Sequence, residues 1–144
     1  EISECLVGSE MCIRDRGISY NNTEDGVIDV TTIDDMYELL AATDAFVSDY
    51  SSAAFDASYM KIPVFLYVDD LDDYVADRGK LTWNIAEIPF SMAKNNDELE
   101  NNILRFDNKE YIKRLDELFS SIKLLEDGKA SKRIADYIDS KLNL

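Results

Sequence analysis

The sequence predicts an α/β fold in which a parallel β-sheet carries helices on both faces. Short apolar runs at Val27–Val30, Ala45–Ser48 and Val64–Val68 alternate with segments of helical periodicity. Strands that alternate with helices at short spacing favour parallel pairing through helical crossovers. The 144 residues, of which 46% are hydrophobic, are enough for one core. We therefore expect a single domain of Rossmann-like layout.

The first half of the chain predicts two strand–helix units. Val27–Val30 is a β-branched strand entered from an Asp-Gly turn, and Thr32 or Asp34 caps a helix that ends near Ala42. One face of this helix carries its less polar residues, which are Met36, Leu39, Leu40 and Thr43. After the strand Ala45–Ser48 comes a helix over Ser52–Met60, and Pro63 then opens the strand Val64–Val68.

The second half predicts helices. Leu71–Ala76 is a short helix, and residues 77–80 form a loop. Residues 81–94 show neither the helical nor the strand period of apolar residues, although Trp83 and the segment Ile88–Phe90 are apolar enough to pack against the core. Three further helices are expected from their periodicity, at Asn96–Phe106, Glu110–Leu124 and Ser131–Leu142.

Residues 1–16 differ in character from the rest. Ser9–Arg16 has no strand or helix period, and Met11–Arg16 resembles the translation of a transposase adapter used in sequencing libraries. We therefore expect residues 1–16 to be a non-native leader. Residues 17–144 would then be the natural domain, with its N-terminal part missing. The alternative is a natural, irregular loop.

Charge limits the partners. The formal net charge is -15, from 30 acidic and 15 basic residues, which argues against nucleic acid as a ligand. Residues 17–60 contain no Lys or Arg, so a phosphate bound there would need cations from Lys61, Arg78, Lys80 or another domain. No run is long enough to span a bilayer, and nothing resembles a signal peptide, so an intracellular setting is expected.

The chain lacks the residues that several common kinds of active site and cofactor site require. The chain has no histidine, so a Ser-His-Asp triad is excluded, and Cys5 and Cys12 are too few for a metal site. No glycine-rich dinucleotide or P-loop motif is present, so no cofactor is expected. The acidic run Asp69–Asp73 could bind a divalent cation, but a solvated, N-terminally capped helix start is the favoured interpretation.

The segment from Ser48 to Asp56 is the candidate ligand site. It predicts a strand end, a turn with Ser51 and Ser52, and a helix start, where unpaired N–H groups and the dipole favour an anion. Asp56 follows Ser52 by one helical turn, where a carboxylate can accept hydrogen bonds from sugar hydroxyls. The alternative is an ordinary serine cap with an exposed acid, and this segment alone favours it. Arg78 can reach a phosphate from its loop, or can lie in a surface turn.

The same segments resemble the C-terminal end of the CDP-glycerol glycerophosphotransferase family, the teichoic acid polymerases and primases. The pattern D-Y-S-S-x-x-x-D followed by K-x-P-V-F-x-Y is specific in combination. The resemblance covers about residues 26 to 138. Its matching stretches are Asp29–Thr31, Asp35–Leu40, Ser48–Asp56, Lys61–Tyr67, Arg78–Gly79, Glu87–Phe90 and Asp127–Ser131.

The resemblance implies a GT-B architecture, with two Rossmann-like domains and an active site between them. This chain would be most of the C-terminal donor domain, with Ser51 and Ser52 on the phosphates of CDP-glycerol and Asp56 beside them. The implied reaction transfers glycerol phosphate to a lipid-linked teichoic acid chain, with CMP leaving, at the inner face of the cell membrane. The acceptor would bind through the missing N-terminal domain, which in this family also carries the histidines. We expect no catalytic residue within this chain, and no activity from it alone.

Two other functions stay open. A CDP-ribitol or other polyol-phosphate transferase of the same fold would carry the same donor motif. A non-catalytic Rossmann-like domain that serves as an interaction module is the alternative from a different class.

Overall fold

A computed structural model describes Val30, residues 33–79 and residues 87–142. The leader predicted at residues 1–16, most of the strand predicted at Val27–Val30, and Thr32, Lys80 and Trp83 lie outside the described residues. Strands and helices alternate through the first half of the described chain, and helices follow. The elements are α1 (Met36–Ala41), β1 (Phe46–Ser48), α2 (Ala53–Tyr59), β2 (Val64–Tyr67), α3 (Leu71–Arg78), β3 (Ser91–Ala93), α4 (Asn96–Leu104), α5 (Asn108–Ser121) and α6 (Ala130–Leu142).

The three described strands form one parallel sheet in the order β1-β2-β3. Phe46 pairs with Val64, and Phe65 pairs with Ser91, so each strand runs beside the next in the chain. This confirms the predicted α/β class with a parallel sheet. It also places the ends of β1, β2 and β3 along one edge, which we call the carboxyl edge.

The central strand is buried on both faces. Val64, Phe65 and Leu66 are each less than 5% exposed, and successive side chains of a strand point to opposite faces. Val64 and Leu66 belong to the main core, together with residues of α2 and α5. Phe65 points the other way and contacts Phe106, with ring centroids 5.3 Å apart. Flanking chain therefore covers both faces, as the continuous apolar run predicted.

Helix α1 begins one residue later than predicted. Its cap is Asp35, whose carboxylate accepts hydrogen bonds from the N–H groups of Tyr37 at 2.8 Å and Glu38 at 3.4 Å. Asp34 is therefore not the cap, because the side chain at 35 is the one in reach of these amides. The predicted face is confirmed. Its four residues are all less exposed than the rest of the helix, and they are Met36, Leu39, Leu40 and Thr43.

One local prediction was wrong, and a segment for which no element was predicted contains a strand. Residues 77 and 78 belong to α3 rather than to a loop, because the helix continues until Gly79, whose φ of 84° ends it. The segment 81–94, which showed no period, contains β3. Ser-Met-Ala has little strand propensity, so pairing with β2 decides this strand and local sequence does not.

The remaining helices match their predicted positions to within a few residues. Asn95 and Asp107 cap α4 and α5 by accepting first-turn N–H groups. None of the helices in the described part of the chain combines the length and apolarity needed to cross a membrane.

Candidate functional site

The loops at the carboxyl edge are joined to one another by side chains. The Tyr50 hydroxyl, after β1, donates to Asp70 Oδ1, after β2, at 2.8 Å. Lys94 Nζ, after β3, lies 3.5 Å from Asp72 Oδ2 in the first turn of α3. The edge therefore gathers residues from three separate stretches, at the place where parallel sheets usually bind ligands.

The serine turn (Ser48–Ser52) follows β1 at this edge, and four N–H groups in this turn and in the first turn of α2 are bonded within the chain. The Ser51 N–H donates to Asp49 Oδ1 at 3.0 Å, and the Ala53 N–H donates to Ser51 Oγ at 3.3 Å. The N–H groups of Ala54 and Phe55 donate to the carbonyls three residues before them. The expectation of unpaired amides was therefore wrong for these four groups, since Asp and Ser side chains bond to amides two residues ahead.

The two serines differ in what their hydroxyls do. Ser51 is half-buried and its oxygen accepts the Ala53 N–H, which leaves its proton available to donate. Ser52 occupies the capping position of α2 with φ -65° and ψ -18°, yet its side chain makes no capping hydrogen bond. Ser52 is exposed. The interpretation of Ser52 as a capping side chain is therefore wrong, whereas the Ser51 side chain does bond to an amide at the start of α2.

Asp56 lies in the first turn of α2 and is half-buried. Burial raises the pKa of its carboxyl above the ordinary value, because desolvation disfavours the charged form. Ionisation of Asp56 is therefore less favourable than that of a carboxyl in water, and carboxyls with raised pKa values are common at ligand sites.

Arg78 is the last residue of α3, and its side chain lies outside the described atoms. The helix starts at the carboxyl edge and has eight residues, so it is about 12 Å long. The backbone of Arg78 is therefore at the far end of α3 from Asp70. A contact between Arg78 and phosphate stays a prediction.

A lysine at the carboxyl edge is not among the cations that the sequence suggested. Lys61 lies between α2 and β2, at the opposite end of the sheet, where its Nζ is 2.9 Å from Asp116 Oδ1. Its expected role as a phosphate partner was therefore wrong. Lys94 is at the carboxyl edge instead, directly after β3. It was missed because the strand before it was missed.

The contact between Tyr50, within the serine turn, and Tyr74 of α3 was also missed. The rings of Tyr50 and Tyr74 are stacked, with centroids 3.8 Å apart and planes inclined by 20°. Burial, followed by the hydrogen bond to Asp70, raises the pKa of the Tyr50 phenol. The one signal in the sequence is the position of Tyr50, directly before Ser51.

The acidic run Asp69–Asp73 begins α3, with Asp72 and Asp73 in its first turn, as predicted. The expected cap was wrong, because the Asp70 side chain accepts no first-turn N–H. In the described ranges, no three Cys, His, Asp or Glu side chains are grouped closely enough to hold a metal ion.

The structure defines an α/β domain with a three-stranded parallel sheet, flanking helices and polar loops at the carboxyl edge. Residues 13–140 match the family model described as CDP-glycerol:poly(glycerophosphate) glycerophosphotransferase. The chain belongs to this family. No solved structure matches the chain.

Three relatives show the range of the family. The chain is 32% identical over 124 residues to a teichoic acid ribitol-phosphate primase of Bacillus spizizenii, a match that covers 86% of this chain and 32% of that protein. It is 35% identical over 118 residues to a teichoic acid glycerol-phosphate transferase of Staphylococcus aureus, covering 80% and 30%. It is 32% identical over 125 residues to a teichoic acid poly(glycerol phosphate) polymerase of Staphylococcus epidermidis, covering 80% and 16%. The chain thus spans a third or less of these relatives.

Proposed function

We propose that this chain is the donor-binding part of a teichoic acid polyol-phosphate transferase, and that its donor is a CDP-polyol. The observation that carries the proposal is the family match over residues 13–140, which includes the whole serine turn at the carboxyl edge. The first donor to consider is CDP-glycerol, the substrate in the family's description. CDP-ribitol is the second, since a ribitol-phosphate primase is 32% identical to this chain.

In this proposal the serine turn holds the diphosphate. Ser51 retains a hydroxyl proton, and Ser52 makes no capping bond, so both can donate to phosphate oxygens. Asp56 takes hydroxyl groups of the donor rather than phosphate, because two anions repel while a carboxylate accepts hydrogen bonds from alcohols.

The charges around the turn suggest that this chain supplies only some of the groups that the reaction needs. Asp49, Asp70 and Asp72 lie at the carboxyl edge with Lys94, so this edge is acidic, although a diphosphate needs positive charge. The chain also has no histidine for proton transfer. We therefore propose that the rest of the parent enzyme supplies the cations and the base, and that this chain alone does not catalyse transfer.

The parent architecture follows as part of the same proposal. It is a GT-B transferase in which residues 17–144 form the C-terminal donor domain and residues 1–16 are a leader, although the family match begins within that leader, at residue 13. A terminal hydroxyl of the lipid-linked acceptor attacks the phosphorus that bears the polyol. The new P–O bond forms as the bond to CMP breaks, and such a transfer depends on positioning and charge stabilisation. The parent enzyme works as a peripheral protein at the inner face of the membrane.

Calorimetric titration of the chain with CDP-glycerol, CDP-ribitol and CMP tests the proposal. Ser52→Ala and Asp56→Ala should each weaken binding of the preferred CDP-polyol about 10-fold or more, the effect of losing a hydrogen bond to a charged group. Ser120→Ala and Asp139→Ala are matched controls on the exposed faces of α5 and α6, and should bind normally. Absence of CDP-polyol binding by the unaltered chain would contradict the proposal and favour an interaction module.

A further inference from the structure

We propose that Tyr50 is a positioning residue, which fixes the serine turn against α3 so that Ser51 and Ser52 face the donor correctly. The inference rests on the proposed function, since it assigns a task at the same site. Tyr50 immediately precedes Ser51 in the chain, and its side chain leaves the turn to meet α3 twice. Its hydroxyl donates to Asp70 Oδ1 at 2.8 Å, and its ring stacks on Tyr74 at 3.8 Å.

The second observation concerns Asp70. It stands at the capping position of α3, where an aspartate ordinarily accepts a hydrogen bond from a first-turn amide. Asp70 makes no such bond, and its Oδ1 accepts the Tyr50 hydroxyl instead. The side chain therefore connects two loops of the carboxyl edge rather than capping its own helix.

Tyr74 completes the connection from within α3. It follows Asp70 by four residues, so the two side chains project from the same face of the helix. Together they hold the Tyr50 ring by its face and by its hydroxyl. The hydrogen bond to Asp70 and the stacking on Tyr74 act in different directions, so together they restrict the position and tilt of the Tyr50 ring. Because Tyr50 precedes Ser51, they also restrict the backbone that leads into Ser51.

Such restriction matters because hydroxyl donors act over short distances. A shift of about 1 Å is enough to lose a productive hydrogen bond to a bound ligand. Tyr50 has no need to touch the donor to affect its affinity. The effect of its hydroxyl should depend on Asp70, and that effect should vanish when Asp70 is already gone, although the stacking on Tyr74 remains.

A double-mutant cycle on the full 144-residue chain measures this dependence, with calorimetric affinity for CDP-glycerol and CDP-ribitol as readout. Tyr50→Phe and Asp70→Ala should each weaken binding about 5-fold, and the double variant no more than either alone. Asp70→Asn keeps an acceptor oxygen and should retain affinity. Tyr137→Phe, an exposed tyrosine on α6, is the matched control. Additive losses from Tyr50→Phe and Asp70→Ala would overturn the inference.

A readout without donor separates this inference from the proposed function. Amide hydrogen exchange at Ser51 and Ala53, whose N–H groups bond within the turn, should be several-fold faster in Tyr50→Phe and Asp70→Ala. It should not change in Asp70→Asn or Tyr137→Phe. If neither CDP-polyol binds, the proposed function fails, and accelerated exchange still supports the positioning. Unchanged exchange in Tyr50→Phe overturns the positioning whatever the donor does.

Discussion

The Tyr111 hydroxyl donates a hydrogen bond of 2.7 Å to the carbonyl oxygen of Ile62, and this bond joins α5 to the segment that enters β2. Both residues are buried, with 3% and 8% of their surfaces exposed. The Tyr111 ring also contacts Phe106 on the other side, at a centroid distance of 5.4 Å. The Tyr111 hydroxyl thus fixes the position of α5 on the sheet from within a buried cluster of mostly apolar residues.

Tyr111→Phe should lower the free energy of unfolding by about 1–2 kcal/mol, because the Ile62 carbonyl would remain buried without its partner. Urea denaturation at pH 7 measures the change. Tyr137→Phe, on an exposed tyrosine, should leave the midpoint unaltered. Equal stability of Tyr111→Phe and the unaltered chain would show that water replaces the hydroxyl, and that the anchor is unimportant.

The same tyrosine should make stability depend on alkaline pH. Burial raises the pKa of the Tyr111 phenol in the folded state, and a backbone hydrogen bond from Val64 opposes this in part. Its contribution is therefore complete below the unfolded pKa of about 10 and is lost as pH rises through the folded value. The stability advantage over Tyr111→Phe should shrink above about pH 10. A constant difference from pH 8 to pH 11 would argue against this effect.

Asp56→Asn should weaken donor binding without destabilising the fold. Burial raises the pKa of the Asp56 carboxyl, so the folded state prefers the protonated form. The associated stability is present below the unfolded pKa of about 3.9 and is lost as pH rises through the folded value. At pH 7 the neutral amide should therefore leave the unfolding midpoint unchanged or higher. A lower midpoint with normal donor affinity would make Asp56 a structural residue.

Two lysines at opposite ends of the sheet should differ in their effect on the donor. Lys94→Gln should weaken CDP-polyol binding about 2- to 5-fold at low salt, and less at high salt, because an exposed charge is screened. Lys61→Gln should leave affinity unchanged, since Lys61 pairs with Asp116 away from the carboxyl edge. Titrations at two salt concentrations measure both variants. A larger loss of affinity from Lys61→Gln than from Lys94→Gln would indicate that the donor binds at the opposite end of the sheet, and would contradict the proposed site.

The sequence predicted those elements whose local pattern and tertiary role agree. Val64–Tyr67 is a continuous apolar run because β2 is covered on both faces, and α1 shows its core face in its period. Ser91–Ala93 has no such pattern, since three residues of ordinary propensity become a strand only through pairing with β2. Because this strand was not predicted, the position of Lys94 at the carboxyl edge could not be predicted either.

The candidate site was predictable in its chain position and less so in its contacts. Ser51, Ser52 and Asp56 are within one short segment, so motif and spacing made them candidates, and the family resemblance then favoured a donor site over an ordinary serine cap. Tyr50 and Asp70 are 20 residues apart, and their contact depends on the register of β1 against β2. Local pattern also could not reveal that Asp49 and Ser51 would occupy the nearby amides, because the turn geometry decides this.

Titration of the ¹⁵N-labelled chain with CDP-glycerol and CDP-ribitol, followed by amide chemical shifts, tests most directly whether the carboxyl edge binds the donor. The largest shifts with the preferred donor should fall on Ser51, Ser52 and Ala53, with smaller ones at Asp70 and Lys94 in the neighbouring loops. The amides of α5 and α6 should not move. Shifts centred on α5 or α6, or no shifts with either donor at millimolar concentration, would contradict the proposed donor site.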